Sequence, residues 1–238
     1  MRIGVFVYGF PHRKSVDGLI NLMVNGYAKD IKIVVGAPKI KLNIAPTIVR
    51  VGPKDLVHQH PEVICDLANL VYVQQRHNDD LTVEMLKHLN LDLGIVLGAR
   101  ILRPELIDAF SVGILNLHPA ILPWNRGLDN IKYAVWADGK QGVTTHLIDA
   151  KVDRGLLVER SEIAVYPDDT FLDIYLRIAS REQELLISSL LMLQGELAPL
   201  TPLGAGPYES TPLDREDLLP EMFEMYKKEY DKCPLLVK

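Results

Sequence analysis

Two polar side chains stand at the end of an otherwise apolar segment, which reads GILNL from Gly113 and continues with His118 and Pro119. In an extended strand Asn116 and His118 are two residues apart, so both side chains leave the same face. An amide and a protonated imidazole placed there can donate hydrogen bonds to a developing oxyanion. The spacing alone also permits structural roles, in which His118 bonds a backbone carbonyl and Asn116 caps the next turn.

The elements that must position this pair are apolar runs of strand length, rich in β-branched residues. They are IGVFVY from Ile3, IKIVV from Ile31, TIVRV from Thr47, LVYV from Leu70, LGIVLG from Leu93 and GILNL from Gly113. Segments with helical spacing lie between several of them, and Ser15 is a candidate cap for the first helix. This alternation predicts an α/β fold with a doubly wound, Rossmann-like and mostly parallel sheet. Such sheets bind ligands beyond the carboxyl ends of their strands.

The pattern changes after Gly142, where VTTHLID and LLVERSEIAV predict two longer strands. An amphipathic helix is predicted from Thr170 to Leu193. A segment rich in Pro and Gly follows from Gly195, and a charged stretch from Arg215 to Lys232 predicts a terminal helix.

The composition excludes several classes of protein. The 238 residues carry 26 Lys and Arg against 31 Asp and Glu, a net charge of -5, so we expect no nucleic acid partner. Apolar runs long enough to cross a membrane are lacking, and we expect no membrane association. Cys65 and Cys233 form neither a disulfide framework nor a metal motif, which favours a reducing, cytoplasmic setting. His58 and His60 lack further ligands at metal spacing, so no metal is expected.

A longer ordered pattern surrounds the polar pair in residues 113–155. It contains N-L-H-P-A-I-L-P-W-N-R-G, then G-V-T-T-H-L-I-D and V-D-R-G, and A-R-I-L-R-P precedes it in residues 99–104. This set, covering about residues 93–155, resembles the folate-dependent formyltransferase family, which includes glycinamide ribonucleotide transformylase, methionyl-tRNA formyltransferase and the nucleotide-sugar N-formyltransferases. The resemblance implies a formyltransferase of that fold with 10-formyltetrahydrofolate as co-substrate.

The resemblance assigns the catalytic roles to Asn116, His118 and Asp153. Asn116 and His118 would stabilise the oxyanion that forms when an amine attacks the formyl carbon. Asp153, in V-D-R-G, would orient His118 and hold a water that relays the proton of the amine to the folate nitrogen. His146, in T-T-H, would support the site without taking part in the reaction.

The resemblance also places a folate pocket between the segment from Ala99 to Leu102 and the loop before Asp153, where backbone groups would bind the pterin. Each apolar candidate is singly compatible with a plain core position. The candidate folate-binding residues are Ile95, Arg100, Ile101, Leu102, Ile107, Ile114, Ala150, Lys151 and Val152.

The acceptor is where the sequence departs from parts of the family. The purine enzyme has a Gly- and Ser-rich phosphate loop after its first strand, whereas this chain has YGFPHRKS from Tyr8, in which only Arg13 or Lys14 would meet a phosphate. L-P-x-x-R-G at residues 122–127 resembles the transfer-RNA and nucleotide-sugar enzymes, but the former carries a further domain and a basic surface. We therefore favour an amino-sugar nucleotide, with glycinamide ribonucleotide as the alternative. The candidate acceptor-binding residues are Tyr8, Gly9, Arg13, Arg126, Gly127, Asp129 and Asn130.

We predict one formyltransferase domain over residues 1–238. It comprises a Rossmann-like acceptor half (1–110), a catalytic and folate half (111–194) and a C-terminal loop and short helix (195–238). The expected partners are folate and a small-molecule amine, and homodimer formation is left open. Two rival classes are a dinucleotide-binding oxidoreductase, which lacks support because no G-x-G-x-x-G follows the first strand, and a non-catalytic folate-binding homologue.

Overall fold

The structure is a computed structural model that describes residues 1–40, 58–195, 199–209, 213 and 217–230. The strand predicted from Thr47 and the cysteine Cys233 lie outside these residues. Within the described ranges, no helix is both long and apolar enough to cross a membrane.

Seven helices and ten strands are described, together with a 3-10 turn at Tyr27–Lys29. The strands are β1 (Ile3–Tyr8), β2 (Ile31–Ala37), β3 (Tyr72–Gln74), β4 (Leu91–Val96), β5 (Phe110–His118), β6 (Arg126–Gly127), β7 (Gly142–Leu147), β8 (Leu156–Glu162), β9 (Thr201–Pro202) and β10 (Tyr208–Glu209). The helices are α1 (Arg13–Val24), α2 (Pro61–Leu67), α3 (Asp80–His88), α4 (Pro104–Ile107), α5 (Asn130–Trp136), α6 (Phe171–Gln194) and α7 (Leu219–Tyr230).

The main sheet has eight strands in the order β3-β2-β1-β4-β5-β7-β8-β9. The strands from β3 to β5 pair in parallel, and the pairings from β5 to β9 are antiparallel. A separate small sheet pairs β10 with β6 in parallel. The predicted α/β fold with a mostly parallel sheet is confirmed, and the antiparallel strands are those of the second half.

Side chains alternate between the two faces of the sheet and so divide the core. Leu115 and Leu117 of β5 pack with residues of α1 and α6, whereas Ile114 packs with residues of α3 and α4. Because Asn116 and His118 have the same parity as Ile114, they lie on the α3 and α4 face. The catalytic candidates therefore stand at the carboxyl end of a central strand, on one defined side.

The first residues of α6 and α1 can be compared with the helix starts that the sequence predicts. Thr170 and Asp173 form a capping box that starts α6, which agrees with the predicted helix. The prediction that Ser15 caps α1 is wrong, because α1 begins at Arg13. Buried Ser15 instead donates through Oγ to the Leu97 carbonyl at 2.9 Å and accepts from the Tyr8 amide at 3.2 Å, so it ties the helix to the sheet.

The terminal helix covers a second, smaller core. Leu219, Phe223 and Tyr226 of α7 are buried against residues of α5 and the first turns of α6, among them Val135 and Phe171. Phe171 and Phe223 stack with ring centroids 4.2 Å apart. This packing brings the C-terminal part of the chain over the half of the sheet that carries the catalytic candidates.

Candidate active site

The register between β5 and β7 brings polar side chains together at the end of the sheet. Asn116 pairs with His146, and His118 pairs with Thr144. Directly opposed residues of antiparallel strands point to the same face. The four side chains therefore surround one small volume, in which His118 is only 3% exposed and His146 is fully buried.

Asp153 reaches this volume from the turn between β7 and β8. Its Oδ1 lies 3.3 Å from Nδ1 of His118, and its Oδ2 accepts a hydrogen bond from the Gly127 amide at 2.8 Å. Burial alone would raise the pKa of the Asp153 carboxyl, but the bond to His118 and the Gly127 amide hold that pKa below its usual value. The carboxylate is therefore ionised beside the imidazole, in the arrangement that the sequence predicts.

The second nitrogen of His118 also has a partner. Nε2 lies 2.9 Å from the backbone carbonyl of Asn125. A carboxylate and a carbonyl both accept hydrogen bonds, so only the doubly protonated ring can donate to Asp153 and Asn125 at once. The backbone contact that the spacing also permitted is thus present together with the carboxylate contact.

His146 holds the amide of Asn116. Its Nδ1 lies 2.9 Å from the Arg154 carbonyl, and its Nε2 lies 3.2 Å from Nδ2 of Asn116. Burial, followed by the nearby charge of His118, lowers the pKa of His146 to about 4, so the ring is neutral at pH 7. The Nδ1 hydrogen then goes to Arg154, and Nε2 accepts one of the two amide hydrogens of Asn116. The other amide hydrogen has no acceptor among the residues that the structure describes.

Sequence reasoning missed the groups that hold the chain around His118. Thr144 donates through Oγ1 to the Ala120 carbonyl at 2.7 Å and accepts from the Leu122 amide at 3.0 Å. The following Leu122–Pro123 bond is cis. Thr144 could have been found, because it lies two residues before His146 on the same face of a predicted strand. The Asn125 carbonyl had no such signal, since its role depends on its backbone.

The apolar folate candidates fall on both faces of the sheet. Leu102 and Ile114 are buried in the cluster on the α3 and α4 face, with Ile107 packed against them. Ile95 belongs to the opposite cluster, because it aligns with Leu115 and not with Asn116. The structure therefore does not bring Ile95 together with the other candidates.

The remaining folate candidates lie at the surface or in the turn between β7 and β8 that carries Asp153, which we call the catalytic turn. Ile101 is 67% exposed, which leaves its apolar side chain accessible at the surface. Arg100 is exposed as well, and Ala150, Lys151 and Val152 precede Asp153 in the turn.

A cavity of about 370 Å³ lies beside the catalytic turn. It is lined by Val112, Gly113, Leu147, Ile148, Asp149, Lys151, Arg154, Gly155, Leu156, Pro202 and Leu203. Of the folate candidates only Lys151 contributes to its wall. The cavity adjoins the apolar group around Ile114 through Ile148, which packs against that group.

Aromatic rings cluster around the acceptor candidate Tyr8, at the end of β1 and in the loop after it. The Tyr8 ring stacks on Phe10 at 5.1 Å and lies 4.7 Å from the ring of His12. Burial, followed by the charge of Lys14, lowers the pKa of His12 to about 4. Nδ1 of this neutral ring is buried without a hydrogen-bond partner among the residues that the structure describes.

The charged acceptor candidates all have partners within the protein. Arg13 pairs with Asp17 at 2.9 Å, and Asp129 accepts from Lys132 at 3.1 Å. Asp129 also accepts from the Leu213 amide, and Arg126 donates to the Gly206 carbonyl. Acceptor contacts by these side chains remain a prediction.

Lys14, the other cation proposed for a phosphate, is also engaged. Its Nζ pairs with Glu182 of α6 at 2.8 Å and donates to the Leu117 carbonyl of β5. The loop after β1 therefore offers rings and a neutral histidine where the sequence suggested two cations.

Comparisons with known proteins agree with this fold. A family model described as formyl transferase matches residues 5–190. A phosphoribosylglycinamide formyltransferase of Haemophilus influenzae is 34% identical over 116 residues, which cover 48% of this chain and 54% of the relative. The chain thus spans about half the length of that curated relative.

Two solved structures are similar in fold. The glycinamide ribonucleotide transformylase 1 of Symbiobacterium toebii has a TM-score of 0.64 at 21% identity and covers 86% of this chain and 94% of its own. The N-formyltransferase of Helicobacter canadensis, solved with folinic acid and dTDP-3-aminofucose, has a TM-score of 0.64 at 15% identity and covers 88% and 71%. At these identities the likeness establishes the fold.

Proposed function

The chain belongs to the formyl transferase family, and from that premise we propose that it transfers the formyl group of 10-formyltetrahydrofolate to a primary amine. The observation that carries the proposal is the convergence of Asn116, His118 and Asp153, with His118 and Asp153 3.3 Å apart. These three side chains supply the hydrogen-bond donors and the carboxylate that the reaction needs.

The proposed reaction is an attack on a formamide-like carbon. The lone pair of the acceptor amine forms a new C–N bond, and the formyl oxygen becomes an oxyanion. Hydrogen bonds from the free amide hydrogen of Asn116 and from protonated His118 stabilise this oxyanion. The bond to the folate nitrogen then breaks, and the proton lost by the amine passes through a water held by Asp153 to the departing nitrogen.

Both ring nitrogens of His118 are held, by Asp153 and by the Asn125 carbonyl. In the proposed reaction the formyl oxygen shares the Nε2 hydrogen with the Asn125 carbonyl. The charged bond to Asp153 keeps the ring oriented while the oxyanion forms.

The folate is proposed to bind between residues 99–102 and the catalytic turn. Leu102, Ile107 and Ile114 form the apolar floor, and exposed Ile101 is available to cover a ring. Arg100 and the backbone of residues 150–152 complete the proposed site. An aromatic ring system with polar edges fits an apolar floor bordered by backbone groups.

For the acceptor we propose an amino-sugar nucleotide. The rings of Tyr8 and Phe10 suit a flat group better than a phosphate, and Arg13 is already paired with Asp17. The Helicobacter canadensis enzyme was solved with a nucleotide-linked amino sugar. The alternative acceptor, glycinamide ribonucleotide, is favoured by the Haemophilus influenzae relative. A non-catalytic folate-binding protein is a second alternative.

The proposed function is tested by incubating purified protein with 10-formyltetrahydrofolate and single acceptors, followed by mass spectrometry of the formamide product. We expect product with at least one amino-sugar nucleotide. Product with glycinamide ribonucleotide alone would reverse the order of the two acceptors. Absence of product with every acceptor, together with folate binding, would favour the non-catalytic alternative.

Two variants test the assigned chemistry. Asn116→Ala and His118→Ala are expected to abolish transfer while folate still binds, because each removes a donor to the oxyanion. His88→Ala is the control, since His88 is an exposed histidine at the end of α3. Full activity in Asn116→Ala or His118→Ala would exclude the mechanism.

A further inference from the structure

The loop that leads from β5 to α5 carries one backbone hydrogen-bond partner of His118 and one of Asp153. The Asn125 carbonyl accepts from Nε2 of His118, and the Gly127 amide donates to Oδ2 of Asp153. These two backbone groups are separated only by Arg126. A shift of this three-residue segment therefore changes the hydrogen bonds of both His118 and Asp153.

The C-terminal segment holds Arg126. The guanidinium donates through Nη2 to the Gly206 carbonyl and lies 5.7 Å from the centroid of the Tyr208 ring. The backbone continues the contact, because β6 pairs with β10 and Arg126 is the partner of Tyr208. Arg126 is only 8% exposed, so its side chain points into this contact and not into solvent.

Gly206 also touches the start of the same loop. A Cβ atom at this position would lie 1.7 Å from the Pro123 carbonyl oxygen and 2.6 Å from its carbon. Only glycine permits such a close approach of two backbones. The C-terminal segment therefore contacts the loop at Pro123 and again at Arg126, on both sides of Asn125.

We propose that Arg126, Gly206 and Tyr208 form a clasp that sets the position of His118 and Asp153 through the segment from Asn125 to Gly127. Arg126 is then a positioning residue of the reaction, in place of the acceptor contact that the sequence predicted for it, and it touches neither the reacting atoms nor the acceptor. The kinetic consequence of the clasp rests on the proposed function.

Opening the clasp is expected to lower kcat. Arg126→Gln removes the cation over Tyr208, and Gly206→Ala forces the two backbones apart. A displacement of about 1 Å at reacting groups costs up to roughly 100-fold in rate. We expect a loss of about 10- to 100-fold in kcat for both variants, with KM for folate and acceptor within about twofold. Arg126→Lys, which keeps a donor for Gly206, should recover part of the loss.

The pH profile provides a readout that a loss of stability would not move. The Asp153 carboxylate faces His118 from β5, His146 from β7 and the Gly127 amide from β6. Loss of the Gly127 amide removes one of the contacts that lower the pKa of Asp153. The acid limb of the kcat profile should therefore move to higher pH in Arg126→Gln and Gly206→Ala.

Arg177 offers a matched control. It donates to the Ala164 carbonyl and lies 4.8 Å from the Tyr166 ring centroid, but it also pairs with Asp169 and belongs to α6. Arg177→Gln makes the same chemical change at a similar contact. It should lower stability and leave kcat and the acid limb unchanged. Equal losses of kcat in Arg177→Gln and Arg126→Gln would overturn the clasp.

Amide hydrogen exchange tests the clasp without any acceptor. In Arg126→Gln and Gly206→Ala the Gly127 amide should exchange faster, while the amide of Ile95 in the central strand stays protected. If the wild-type protein transferred no formyl group but the two variants showed this faster exchange, only the proposed function would be contradicted. Unchanged exchange of Gly127, or a raised acceptor KM with unchanged kcat in Arg126→Gln, would overturn the clasp itself.

Discussion

The two halves of the molecule each contain a neutral histidine with a pKa of about 4, but the two rings differ in their partners. In the catalytic half, both nitrogens of His146 have partners, the Arg154 carbonyl and Asn116. In the N-terminal half (residues 1–110), Nδ1 of His12 is buried without a partner in the described ranges. Buried polar atoms are costly unless they are paired. The ring of His146 is therefore fixed by protein groups, whereas the ring of His12 keeps one nitrogen that is not engaged by the described residues.

The strands β1 and β7 also differ in how many polar side chains they bury. β1 is apolar up to Tyr8, whereas β7 buries Thr144, Thr145 and His146 completely. Thr145 is paired with Ser189 at 2.7 Å, and Thr144 holds the Ala120 carbonyl. A fully satisfied buried network is rigid. Asn116 and His118 of β5 thus stand at the junction of the two parts of the sheet, because β5 pairs in parallel with β4 and antiparallel with β7.

The largest effect is expected from removal of the carboxylate on the catalytic side. Asp153→Asn keeps the shape of the side chain but loses the charge that orients His118. General acid–base groups contribute about 10²–10⁴-fold, so kcat should fall by that factor while folate binding, followed by calorimetry, is unchanged.

Asp149→Asn is the control for this prediction. Asp149 belongs to the same turn and accepts from the Lys151 amide at 2.8 Å, but it is exposed and makes no hydrogen bond to His118 in the described part of the chain. A similar loss of kcat in Asp149→Asn would mean that the integrity of the turn matters and the Asp153 charge does not.

A smaller effect is expected when the support of Asn116 is removed. His146→Leu leaves the Asn116 amide without its acceptor, so the amide no longer has one orientation. We expect kcat to fall about 10- to 100-fold, in line with the loss of a group that orients a reacting one, with little change in folate affinity.

Thr145→Val is the control that separates a loss of kcat at the site from a loss of folding stability. Thr145 is the neighbouring residue, points to the other face and bonds Ser189. Loss of that buried bond should cost about 1–3 kcal/mol of the free energy of unfolding without lowering kcat. A fall in kcat equal to that of His146→Leu would show that both act through folding.

The sequence predicted much of the catalytic half, for identifiable reasons. Alternation along a strand put Asn116 and His118 on one face, whereas His146 was assigned by the resemblance. Asp153 has a φ of 49° in its turn, a conformation that no periodicity reveals, so its position depended on the resemblance. The Asn125 and Arg154 carbonyls are backbone atoms, and the sequence does not show where a backbone points.

The N-terminal half was harder to predict, because its contacts are distant in the chain. Lys14 was considered for a phosphate, but its partner Glu182 lies 168 residues away. Ile95 was placed in the folate pocket, although a single step along β4 moves a side chain to the other face. Such contacts depend on how helices cross the sheet, which local patterns do not encode.

The two low pKa values predict how stability depends on pH. Each histidine has a pKa of about 4 in the folded protein against 6.5 ordinarily, so the unfolded chain binds more protons between these values. The stabilisation is complete above about pH 6.5 and is lost as the pH falls towards 4. From pH 7 to pH 5, each histidine should lower the free energy of unfolding by on the order of 2 kcal/mol.

Urea denaturation at the two pH values measures this dependence. His146→Gln and His12→Gln should each reduce the difference in the free energy of unfolding between pH 7 and pH 5, whereas His88→Gln, at an exposed site, should not. If neither substitution changes the difference, the two rings are not held neutral by the fold.

The smallest effect is expected on the acceptor side, where the aromatic group is proposed to face the acceptor. Phe10→Ala removes a ring that stacks on Tyr8, and an aromatic contact contributes about 1 kcal/mol beyond its buried area. The acceptor KM should therefore rise roughly fivefold, with kcat and the KM for folate unchanged because Asn116, His118 and Asp153 are untouched. Phe10→Leu keeps the apolar volume and loses only the ring face, so an increase in acceptor KM in both variants identifies stacking as the cause. A fall in kcat without a change in acceptor KM would instead connect the aromatic group to the catalytic side and remove the distinction between the two halves.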